Sequence, residues 1–120
     1  MIIEATEETP RITLDIASGK MEFTNRSFPE DAVAFYQPVV EWIKTYSENP
    51  LPKTICAVRL EYYNTATSKQ IYKIFNLLED LSKKSTVEVH WFYHTEDTDM
   101  KASGERYSKM LTIPFNFMEY

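Results

Sequence analysis

The sequence predicts a single α/β domain of order β-β-α-β-α-β-α-β, with a mainly parallel sheet beyond an N-terminal hairpin and helices packed on it. Three observations carry this. Residues alternate apolar and polar over 12–16, 54–63 and 86–93, the period of a strand. Apolar residues recur at helical spacing between those runs, at Val33, Tyr36, Val39, Val40 and Ile43 and again at Ile71, Ile74, Phe75, Leu78 and Leu81. Strands separated by helices imply right-handed crossovers and parallel pairing.

Each element has a local reason. Met1 to Thr9 is acidic and reads as a flexible arm (1–9), which Pro10 ends before the domain proper (10–120). Arg11 to Ile16 places Ile12, Leu14 and Ile16 on one face, and Met21 to Thr24 returns as the second arm of a hairpin. Gly19, one of only two glycines, belongs in the intervening turn, where a positive φ is needed. A helix is expected from about Pro29, with Ser27 as its N-cap and Glu30 and Asp31 favouring its positive end. Pro38 falls inside that helix and should kink it or reset its start.

Thr54 to Tyr63 is the most strand-like run, with Cys56, Val58, Leu60 and Tyr62 on one face. Ile55, Ala57 and Arg59 lie opposite, so it reads as an interior strand. A helix from around Asn64–Thr67 to about Lys83 follows, with Lys83 and Lys84 complementing its C-terminal dipole. Thr86 to Tyr93 alternates again, with Val87, Val89, Trp91 and Tyr93 opposite Glu88, His90 and Phe92. Glu96, Asp97 and Asp99 lead into a shorter helix ending near Met110. Leu111 to Phe117 is a last strand that Pro114 marks as an edge or a bulge.

Composition limits function. A chain of 120 residues is one domain's worth and can bury roughly 65% of its unfolded surface. With 43% hydrophobic and 14% aromatic residues, it has a core to build. A net charge of -5 argues against a nucleic-acid binder, which needs a basic face. Cys56 is the only cysteine and sits in an apolar run, so it reads as an inert core residue, with no disulfide framework and no thiolate metal cluster. No signal-peptide pattern and no membrane span is legible, so a cytoplasmic protein is expected.

Enzyme signatures are mostly missing: two glycines make neither a P-loop nor a dinucleotide fingerprint. His90 and His94, four apart, should share a strand face with Glu88, which leaves a small metal-binding protein as a minor reading. A polar strand face meeting solvent or a partner accounts for the same pattern. Glu96, Asp97 and Asp99 lack the glycine and distal glutamate of a calcium loop.

The informative segment is Asn64-Thr65-Ala66-Thr67-Ser68-Lys69, three hydroxyls and a lysine at a strand-to-helix junction. One such residue is needed to cap the helix, a role worth ~1 kcal/mol. The junction also lies at the C-terminal end of a central strand, where α/β sheets present their sites. Free N–H groups there suit a phosphate, and Lys69 is near to help hold one. From the residues alone, a plain helix cap and a phosphorylation switch both remain open.

At these residues the chain resembles the SiaC family of bacterial regulatory phosphoproteins. The resemblance runs from about Thr9 to Phe117. It is carried by Thr9-Pro10-Arg11-Ile12, Ser18-Gly19-Lys20, Arg26-Ser27-Phe28-Pro29-Glu30 and Phe35-Tyr36-Gln37-Pro38-Val39-Val40-Glu41-Trp42. Its later markers are Leu60-Glu61-Tyr62-Tyr63-Asn64-Thr65-Ala66-Thr67-Ser68-Lys69, Val87-Glu88-Val89-His90-Trp91-Phe92-Tyr93 and Pro114-Phe115-Asn116-Phe117. The resemblance implies a STAS-like (anti-sigma-factor-antagonist) fold; with enzyme signatures mostly missing, no catalytic activity and no cofactor are expected. It implies phosphorylation at Thr65, with Thr67 and Ser68 as rival acceptors and Ala66 standing where relatives often have serine. Asn64 and Lys69 would support the phosphate, while Tyr63, Tyr72 and Lys73 would meet a partner. By the same resemblance a kinase adds the phosphate and a PPM-type phosphatase removes it. The unphosphorylated form activates a GGDEF diguanylate cyclase, raising cyclic di-GMP and promoting biofilm formation. A constitutive interaction subunit, with Thr65 only capping a helix, is the alternative.

Overall fold

The computed structural model describes residues 1–120. Its elements are β1 (Ile2–Ile3), β2 (Arg11–Asp15), β3 (Lys20–Ser27), α1 (Ala32–Tyr46), β4 (Lys53–Tyr63), α2 (Thr65–Leu81), β5 (Thr86–Tyr93), α3 (Thr98–Met110) and β6 (Phe115–Glu119). One six-stranded sheet holds them in the order β1-β2-β3-β4-β5-β6. The β1–β2 and β2–β3 pairs are antiparallel, and β3 to β6 run parallel. Neighbouring parallel strands joined by right-handed crossovers put every connecting helix on the same side of a sheet.

The register shows why. Leu14, Met21, Cys56, Val89 and Phe115 stand side by side across the sheet, and Ile12, Phe23, Val58, Trp91 and Phe117 form the next row. Apart from Phe117, which is 37% exposed at the sheet edge, these rows and the inner stripes of the helices merge into one core, with Tyr36, Val39, Ile43, Ile74, Phe75 and Leu78 buried above the strands. The intervening row, Thr13, Glu22, Ala57, His90 and Asn116, lies on the opposite face and is largely polar. No second layer of helices is required to hide it.

Several expectations are corrected. Where the sequence predicts a loose arm, Ile2 and Ile3 pair with Thr13 and Ile12. The terminal ammonium also donates to Leu14 O at 2.7 Å, and Phe28 N donates to Glu8 O at 2.7 Å. Two isoleucines and the backbone of β2 offer the arm an edge to complete. Ile16 leaves the strand for the turn and is 64% exposed. Gly19 there has φ 70°, and a Cβ would stand 2.6 Å from Lys53 O, so the turn admits no side chain.

The first helix starts at Ala32, not near Pro29, because Asp31 is its cap and accepts from Ala34 N at 3.1 Å. Ser27 is instead the buried end of β3. Ala32 replaces Val33 in the buried stripe, and Val33 is 60% exposed. The helix runs on through Pro38 as a single element.

Tyr62 does not share the inner face with Leu60. A β-bulge makes the step from Leu60 to Tyr62 oppose the single step from Asn25 to Arg26, and Asn25 takes φ 76°. One extra residue reverses the facing of all that follow. Tyr63 therefore turns inward, its ring meeting Trp91 edge-on at 6.4 Å, and Tyr62 is 54% exposed. The final strand begins at Phe115, since Glu79 holds Thr112 and Ile113 in the preceding loop.

Candidate functional site

β4 is a central strand, and α2 starts at once beyond its C-terminal end. Asn64 is the cap: its side chain accepts from Thr67 N at 2.9 Å, in an extended backbone with φ -89° and ψ 175°. Thr67 is fully buried. Its hydroxyl donates to Ser27 O at 3.1 Å and lies 2.9 Å from Ser27 Oγ, which in turn lies 2.7 Å from the Tyr36 hydroxyl. One proton order satisfies all three groups: Tyr36 donates to Ser27, Ser27 to Thr67, and Thr67 to the carbonyl. Burial pushes the Tyr36 phenol up to about 12, and it stays protonated as that order requires.

The four hydroxyl-bearing or amide residues at this junction thus have separate tasks. Asn64 caps, and Thr67 anchors. Ser68 donates its hydroxyl back to Thr65 O at 2.7 Å. Thr65 is exposed at the first position of the helix, and its hydroxyl takes no part in these bonds.

A cleft of about 780 Å³ opens beside it. Tyr63, Asn64, Thr65, Ser68, Lys69 and Tyr72 form one wall, and Ser103, Arg106, Tyr107, Lys109 and Met110 of α3 form the other. Tyr107 joins the walls by donating to Ser68 O at 2.9 Å. Burial raises its phenol strongly, and the neighbouring Tyr63 adds to that rise. Of the residues named from the sequence, the cleft gathers Tyr63, Asn64, Thr65, Ser68, Lys69 and Tyr72. Thr67 is buried against Ser27 at the end of β3 and does not line the cleft. Lys73 is exposed on α2 but outside the lining. The α3 wall has no counterpart in the sequence reading; only the helical spacing of positions 103, 106, 107 and 110 hints that they share a face.

The remaining candidates do not converge. Glu88 and His90 meet at 2.7 Å on the helix-free sheet face, with Lys53 at 3.7 Å from the same carboxylate oxygen. That hydrogen bond, opposed by desolvation and helped by Lys53, holds the Glu88 carboxyl below its ordinary range. His94 does not share their face: β5 ends at Tyr93, and His94 accepts from Glu96 N and meets the Tyr120 ring at 5.7 Å. No group of three or more His, Cys, Asp or Glu side chains comes together. Cys56 is fully buried, and desolvation pushes its thiol up to about 12. Asp97 caps α3, accepting from Met100 N at 2.9 Å. No helix is long and apolar enough to cross a membrane.

A one-sided α/β sheet with an exposed hydroxyl at the helix start after its central strand makes this a small domain of STAS-like build. The profile of the SiaC family regulatory phosphoproteins matches residues 3–120, and the chain belongs to that family. An uncharacterized protein of Pseudomonas aeruginosa (strain UCBPP-PA14) is 25% identical over 114 residues, which span 94% of this chain and 90% of that one. A chain in the crystal structure of the diguanylate cyclase SiaD in complex with its activator SiaC from P. aeruginosa superposes with a TM-score of 0.94. It is 23% identical and covers 100% of this chain and 99% of its own. SiaC in its apo form gives 0.89, at 24% identity over 98% and 97% of the two chains. At these identities the likeness establishes a shared fold.

Proposed function

We propose that this chain is a non-enzymatic adaptor of the cytoplasm, controlled by phosphorylation at Thr65. Unphosphorylated, it binds and activates a GGDEF-type diguanylate cyclase, raising cyclic di-GMP and favouring biofilm formation. A protein kinase closes the switch and a PPM-type phosphatase reopens it. The observation that carries this reading is the division of labour at the start of α2. Asn64 supplies the cap and Thr67 the anchor, so Thr65 keeps an exposed hydroxyl with no structural duty. Phosphate can be added and removed there without dismantling the fold. The family's character as regulatory phosphoproteins, and the activator SiaC found with SiaD, supply the partner class.

The patch that the partner meets comprises Tyr63, Tyr72 and Lys73 around the junction. A phosphate adds about -1.5 to -2 charge beside it, which an acidic or apolar partner surface does not accept. Site-mapped mass spectrometry of the protein from its native host, joined to a binding assay with a purified host diguanylate cyclase, tests the reading. Phosphate at Thr65 and cyclase binding by the unmodified form alone are expected. Equal binding by both forms, or no phosphate under any growth condition, would leave a constitutive subunit with Thr65 as an ordinary helix residue.

A further inference from the structure

The cleft beside Thr65 is basic in an acidic protein. Its lining includes Lys69, Arg106 and Lys109 and no Asp or Glu, whereas the whole chain carries -5. None of these three cations takes part in a salt bridge; the ion pairs of the protein use Arg11, Lys20, Arg26, Lys53, Lys83 and His90. Arg106 donates only to a neutral group, Ser103 Oγ, at 3.0 Å. Like charges gathered on one concavity repel, and an anion placed among them removes that repulsion.

The two walls are held in fixed relation. Tyr107 reaches Ser68 O from α3, and its ring packs on Phe75 at 5.2 Å and Trp91 at 5.6 Å. Arg106 and Lys109 are therefore carried on a docked helix and not on a free loop. We infer that Arg106 and Lys109 of α3, together with Lys69 of α2, form the seat of a phosphate on Thr65, which then spans the cleft and ties α3 to the first turn of α2. This rests on the reading of Thr65 as the acceptor. The planar guanidinium suits a phosphate, donating to two of its oxygens side by side, and the two ammonium groups complete its neutralisation. Phosphorylation then acts by filling the cleft and covering the Tyr63 and Tyr72 walls, a more specific effect than repulsion at a distance.

The test uses the full chain with phosphothreonine incorporated at position 65 during synthesis, so that no kinase is needed. The phosphate's second ionisation is followed by phosphorus NMR. In the native chain it is expected about one pH unit below the value near 6 of a free phosphate ester. R106Q should return at least half of that shift, K109Q a smaller part, and K83Q, remote from the cleft, none. Phosphorylation should raise the Tm of the native chain and fail to do so in R106Q. The unmodified R106Q chain should melt like the native one, since the exposed guanidinium touches only Ser103. An ionisation unchanged between native, R106Q and K109Q chains would overturn the inference. Absence of Thr65 phosphate in the host would refute the acceptor reading alone, and the two failures are thereby told apart.

Discussion

The Thr67 hydroxyl stands 2.9 Å from the hydroxyl of Ser27, 40 residues earlier, and both residues are 0% exposed. This contact fixes where α2 begins relative to the end of β3. Through Tyr36 it also fixes α1. The position of Thr65 is inherited from that buried pair.

Thr67→Val removes the anchor and leaves Ser27 short of its partners in a dry site. A loss of about 1–3 kcal/mol is expected, seen as a lower urea midpoint with an unchanged slope. Thr67→Ser, which keeps the hydroxyl, should recover most of it. A loss in Thr67→Ser with none in Thr67→Val would mean that the methyl packing, and not the hydrogen bond, secures the turn.

Thr65 should behave in the opposite way. Thr65→Ala and Thr65→Glu are each expected within about 0.5 kcal/mol of the native stability, as for an exposed position without contacts. In a titration against the cyclase, Thr65→Glu should weaken binding by about tenfold, or about 1.4 kcal/mol. A large fall in Tm for either variant would assign Thr65 a structural task.

Glu79 supplies a pH-dependent contribution. Its carboxylate accepts from Thr112 N at 2.8 Å, the Thr112 hydroxyl at 2.9 Å and Ile113 N at 3.0 Å, fastening the loop from α3 to β6. Desolvation raises its pKa, but the bonds from Thr112 and Ile113 outweigh it, and the group lies below the ordinary 4.5. A depressed folded-state value means stability that is present above the unfolded pKa and lost as pH falls through the folded one. Native protein should therefore exceed Glu79→Gln in stability at neutral pH, with the gap narrowing below about pH 4.5. Parallel curves of stability against pH would contradict this.

Gly104 lets α3 lie against Trp91. A Cβ at that position would come within 2.5 Å of the indole Nε1, whose N–H donates to Met100 O at 2.9 Å. Gly104→Ala gains helix propensity but must move the helix or the indole. A net loss of about 1–3 kcal/mol is expected, with a changed tryptophan emission spectrum. A more stable variant would show that the propensity term dominates.

The strand and helix order was legible because period and caps are local properties, and the cap at Asn64 follows from residue type at the right place. The bulge at Asn25 was not: nothing in Glu61-Tyr62-Tyr63 signals which of two tyrosines faces the core, since that depends on pairing with another strand. Thr65 and Thr67 are equivalent in a sequence and opposite in the fold, because burial of Thr67 is decided by Ser27. The α3 wall was hidden for the same reason: Arg106 is near residue 65 only through the crossover from β5.

The sheet order, unbroken from first strand to last, bears on how the chain is made. On a ribosome, each strand emerges to find its neighbour already formed and its edge open, and nothing has to be inserted between earlier pieces. Each parallel pairing must wait for its crossover helix, Met21 and Cys56 meeting 35 residues apart, and such long-range pairings close more slowly than the β2–β3 hairpin. The basic wall of α3 arrives late in that sequence, after the hydroxyl it faces has already taken its place.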